Sequence, residues 1–147
     1  MTVKATLIMD ELEKALETIA GVDRVYRSLA GLSLPSNAVF PVIRFRPLRN
    51  NVDNQLGNEA KVTFEIGIEA IVLADNNDID ADMDDLLYKI RACLNVGDFH
   101  PFAKLVRAFS ATEPGISLGQ AQYMFPQPGG NTASVELILT CRYVERY

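Results

Sequence analysis

Apolar residues recur along this chain at two different periods, and the period predicts the local structure. Val3, Leu7, Ile8, Leu12, Ala15, Leu16 and Ile19 share one face of a 3.6-residue repeat. They predict a helix that Thr2 caps and Gly21 ends. A second stripe, Ile79, Met83, Leu86, Leu87, Ile90, Cys93 and Leu94, predicts another helix, capped by Asn77 or Asp78 and stopped by Gly97. Between the helices the period falls toward two. "VDRVYRSL" predicts a short strand from Val22 to Leu29, and "AGLSLPSNA" a loop. "VFPVIRFRPL" predicts a strand from about Val39 to Leu48, with Pro41 near its start or on an edge.

The polar stretch Arg49–Asn58 reads as a long hairpin tip. The clearest strand follows it. Ala60, Val62, Phe64, Ile66, Ile68, Ala70 and Val72 alternate with Lys61, Thr63, Glu65, Gly67 and Glu69. Ile71 and Leu73 break the polar side, so cover on both faces is expected at that end. "PFAKLVRAFSA", Pro101–Ala111, reads as a short helix turning into a strand. "GQAQYMF" and "TASVELILTCRYVERY" flank the turn signal "PQPGGN", which predicts a closing hairpin. In its last strand Val135, Leu137, Leu139, Cys141 and Tyr143 face one way. Glu136, Ile138, Thr140, Arg142, Val144 and Arg146 face the other. The expected fold class is α+β: a mostly antiparallel sheet of about four to five strands with two main helices packed on it. The length of 147 residues suits a single domain over the whole chain.

Charge and composition narrow the function. A net charge of −5 argues against a protein that grips nucleic acid, which needs clustered cations. No apolar run is long enough for a membrane span, and the N-terminus does not read as a signal peptide. Cys93 and Cys141 make no CxxC pair, and each sits on the apolar face of its element. They read as reduced core thiols of a protein made in the cytoplasm.

The acidic run "DNNDIDADMDDLL" invites a calcium reading. Counted from Asp78, however, the sixth position is Met83 where the loop needs glycine, and the twelfth is Lys89 where it needs a bidentate acid. An acidic helix start accounts for the same residues, because the helix dipole favours negative charge there. "GISLG" matches the G-x-S-x-G nucleophile elbow at Ser117, but that motif requires a strand before the serine and a helix after it. The β-like "QAQYMF" follows instead, and the expected element is a loop entering a hairpin. His100, the single histidine, precedes the serine; it is a candidate general base or a solvated loop residue. No metal site, cofactor or catalytic constellation is expected. Arg44, Arg46 and Arg49, with Arg24 and Arg27 upstream, form the basic cluster. Either they pair with acids of a neighbouring strand, or they meet an acidic edge of another subunit, a role that suits Asp78, Asp80 and Asp82.

The order of pieces carries a resemblance. A helix runs into "IAGVDRVY"; then come "PVIRFRP", a polar loop, "VTFEIGIEAIVLAD", the helix "DIDADMDDLLYKIRACL" and the final "ASVELILTCRYVERY". This layout, over nearly the whole chain, resembles the tail terminator (tail completion) proteins of tailed bacteriophages and prophages. Phe99–Thr112 matches it least. The resemblance implies a non-enzymatic ring, typically of six subunits, that caps the finished tail tube and joins it to the head connector. The implied partners are further copies of the chain, the tail tube protein and the head–tail connector protein, with a monomer expected in dilute solution and the ring on the tail. The implied location is the virion tail or neck, after synthesis in the host cytoplasm. Sequence-specific nucleic-acid binding and membrane insertion are not implied. The alternatives are another neck or head–tail joining protein, or a small serine hydrolase using Ser117 and His100. The outward residues Ile71, Leu73, Ile138, Arg142 and Val144, with Arg44, Arg46, Arg49, Asp78, Asp80 and Asp82, are the candidate subunit contacts.

Overall fold

A computed structural model of the chain describes residues 3–27, 38–74, 78–94, 101–110 and 115–147. The expected loop at 30–38 lies almost wholly outside them, and so do Thr2, Asn77, Gly97 and His100. Alternating apolar residues build a strand only where a ladder partner meets them, and here three 15-residue strands meet along their length. β2 (Val42–Leu56), β3 (Glu59–Leu73) and β6 (Thr132–Arg146) form the middle of the sheet. β1 (Arg24–Arg27) runs parallel to the first residues of β2; all other pairs are antiparallel. β4 (Ile116–Leu118) and β5 (Gln122–Met124) both pair with the outer edge of β6. Three helices complete an α+β fold: α1 (Lys4–Glu17), α2 (Ile79–Cys93) and α3 (Pro101–Phe109).

The helices cover one face of the sheet, where a single apolar cluster lies. Ile43 and Phe45 of β2, Val62 to Val72 of β3 and Val135 to Tyr143 of β6 supply its floor at alternate positions. Ile8, Leu12 and Leu16 of α1, Met83, Leu87 and Ile90 of α2, and Phe102 and Val106 of α3 supply its roof. Burial of such side chains, at roughly 1.5–3 kcal/mol each, drives the two layers together.

Three local expectations change. The 101–111 segment is a helix through Phe109, closed by Ser110, whose hydroxyl bonds the carbonyls of Val106 and Arg142. It adds a third helix to the expected two, and β4 raises the strand count to six. The segment Arg49–Asn58 is not a loop. β2 continues through it to Leu56, and Gly57, at φ 61°, turns the chain straight into β3. Every side chain from Arg46 to Asn58 is exposed, so the strand lacks the apolar alternation that burial imposes on a half-covered strand. β1 ends its described course at Arg27. It spans only Val42–Phe45 of β2, so the rest of that edge has no neighbour among the described residues.

Candidate functional site

The open face of the sheet carries a charged ladder. Residues opposite one another in a ladder project on the same side. Arg44 faces Glu69 and bonds it at 2.5 Å; Arg49 faces Glu65 at 2.9 Å; Arg146 faces Glu59 at 3.2 Å. Thr63 donates its hydroxyl hydrogen bond to Asp53. Two of the three candidate arginines thus neutralise acids of the neighbouring strand, the first of the two readings open from sequence. Arg46 differs. It stands opposite Gly67, it is exposed, and no acid pairs with it among the described residues. Arg142 reaches the Ser117 hydroxyl at 3.5 Å. Further up, Arg27 bonds Asp10 at 2.6 Å and Glu13 at 3.4 Å on α1, which raises its pKa.

Beside this ladder the outward apolar residues fall into two groups. Ile138 and Leu73 are 38% and 37% exposed. Ile71 and Val144 are each 6% exposed, so they are not surface residues of the subunit. Ile71 lines a cleft closed by Met124, Phe125 and Ser134, where the chain turns from β5 into β6. At Val144 the backbone carbonyl accepts a bond from Lys4 at the start of α1, whose ammonium lies 5.2 Å over the Phe109 ring. The outward register read from the sequence is right for both residues; the cover expected from the broken alternation is present at Ile71 and absent at Leu73, while nothing in the two-residue period marks Val144 as buried.

The acidic run is the start of a helix. Asp78 occupies the N-cap position without a capping side-chain bond, and Asp80 and Asp82 lie in the first turn. Lys89 pairs with Asp85 at 2.8 Å, and Asp84 accepts a bond from the Tyr123 hydroxyl. Among the described residues no group of three or more acids, histidines and cysteines is placed to hold a metal ion. Leu73 of β3 and Asp82 of α2 line one cleft of about 310 Å³ with Phe40, Pro41, Leu86 and Lys89. Here the candidate contacts of β3 and α2 meet.

Ser117 is not at a strand-to-helix turn. It is the middle residue of β4, opposite Thr140, and the chain passes from β4 through Gly119 into β5. The expected loop is thus a strand, and an elbow geometry is absent at Ser117. Burial pushes the thiols of Cys93 and Cys141 up to about 12, the opposite of an activated nucleophile. Among the described residues no helix is long and apolar enough to cross a membrane.

The feature that sequence reading missed is the arm made by the distal halves of β2 and β3. Its β2 side exposes Val52 at 52% and Leu56 at 75%. Lys61, opposite Asn54, is exposed and has no ion-pair partner among the described residues. The signal for it was the Gly57-Asn58 pair, a two-residue hairpin turn between residues that can extend. No protein-family model matches the chain, and no match was found among curated proteins.

Proposed function

We propose that the chain is a tail terminator of a tailed bacteriophage or prophage: a ring subunit that caps the completed tail tube and joins it to the head connector. The sequence layout supports this reading, and the arm is the observation that carries it. A two-layer domain has no internal use for a hairpin whose β2 side is exposed on both faces and bears Val52 and Leu56 in water. In an assembly subunit such an arm is contact surface. The acidic chain also suits a ring through which DNA passes, since negative charge keeps the bore from holding phosphates. The role is structural, without cofactor or metal, and its partners are copies of the chain, the tube protein and the connector.

Deletion of the gene in the phage that encodes it tests this. Heads and tail tubes should accumulate unjoined, and the intact gene supplied in trans should restore tailed particles. Normal tailed particles without the chain would exclude the role. Joined particles lacking only a collar component would favour the other reading, a neck protein outside the joint.

A further inference from the structure

We propose that Leu56, at the tip of the arm, seats in the cleft between β3 and α2 of the adjacent copy. This deepens the ring reading and rests on it. Arm tip and cleft lie at opposite ends of the same strand: β3 begins beside Leu56 at Glu59 and ends in the cleft at Leu73. At about 3.3 Å per residue they stand some 45 Å apart. No chain can seat its own tip across that span, whereas a neighbour placed head to tail can. A head-to-tail contact closes into a ring when its rotation allows.

The chemistry of the two ends matches. The cleft has apolar walls in Phe40, Pro41, Leu73 and Leu86, and at about 310 Å³ it has room for a leucine side chain. Asp82 lies in its lining without an ion-pair partner among the described residues. Lys61 projects from the same face of the arm as Leu56, likewise unpaired among the described residues. A seated tip therefore brings an unpaired cation toward an unpaired acid, while Lys89 and Asp85 already satisfy each other.

The edge of β2 beyond Phe45 is poorly suited to the competing mode, strand addition. Pro47 has no N–H to offer, and bulges follow at Leu48 and Asp53. The arm engages through side chains. One such contact is weak, and closing the ring makes each contact support the others.

Disulfide trapping tests the pairing. Leu56 and Leu73 are both exposed in the subunit, and the native thiols are held protonated by burial, so Leu56→Cys and Leu73→Cys introduce the reactive sites. The two single variants, each checked for fold by circular dichroism, are mixed under mild oxidation. The expected result is a covalent dimer in the mixture, at least tenfold above either variant alone. The control pairs Leu56→Cys with Tyr88→Cys, which is exposed on α2 and does not line the cleft. Equal yield with the control, or tip-to-tip dimers of Leu56→Cys alone, overturns the proposal.

A chain carrying both changes separates this inference from the ring itself. A ladder ending in one closed species supports both. A ladder without end keeps the contact and removes the ring. No ladder, with a ring still seen by native mass, removes the contact and keeps the ring. Neither ladder nor ring removes both.

Discussion

Asn50, on the arm, donates a hydrogen bond of 3.1 Å to the Tyr143 hydroxyl of β6, reaching past β3 on the helix-covered face. Asn50 is exposed and Tyr143 is buried, so the bond ties the base of the arm to the core. Tyr143→Phe should cost about 0.5–1.5 kcal/mol in urea denaturation, the usual net worth of such a bond. Asn50→Ala in the same background should then cost almost nothing more. Fully additive costs would show that the pair does not couple.

The two thiols set an alkaline limit on stability. Cys141 and Cys93 both rise from 9.0 to about 12, because burial penalises the thiolate. Below pH 9 both folded and unfolded chains hold the protons, and this contribution is fully present. Between 9 and 12 the unfolded chain releases them first, so stability falls as pH rises through that window. Cys141→Ala should flatten the fall, measured by urea melts at about pH 8 and pH 10. An unchanged slope would show that the Cys141 thiol ionises alike in both states.

The outward apolar residues should separate under charge substitution. Ile71→Asp buries a charge without a ladder partner and should lower stability by several kcal/mol, and Val144→Asp, which faces Lys61 across the ladder, should cost less. Ile138→Asp meets water and should change it by about 0.5 kcal/mol or less. Thermal melts decide between them. Equal losses at all three positions would mean that exposure in the isolated subunit does not govern their role.

Calcium should leave the fold indifferent. A metal that binds only the native chain raises the melting temperature by mass action. At millimolar calcium no rise is expected, since Asp80 and Asp82 belong to the first turn of α2 and Asp85 already pairs with Lys89. A concentration-dependent rise would restore the cation reading of the acidic run.

Much of the architecture was legible in the sequence where burial imposes a period. β3, β6 and both long helices follow alternating or 3.6-residue patterns because one side of each meets the core. The distal half of β2 was illegible for the opposite reason. It is wet on both faces, so no apolar period marks it, and only the turn at Gly57 betrays the hairpin. The candidate contacts divide the same way. Pairing of Arg44 and Arg49 follows from strand order, while the meeting of Leu73 with Asp82 depends on how α2 returns over the sheet. A two-residue period cannot report that return, nor the burial of Val144, although its break at Ile71 does report the cover there.

Location in the particle tests the central claim most directly. On the proposed reading, a peptide tag is placed on the chain in the phage that would encode it, and the virions are imaged by electron microscopy with averaging along the tail. The account predicts a single ring of tag density at the head-proximal end of the tube, with six copies around the axis. Density along the tube, at the tail tip or on the capsid, or particles that lack the chain altogether, would contradict it.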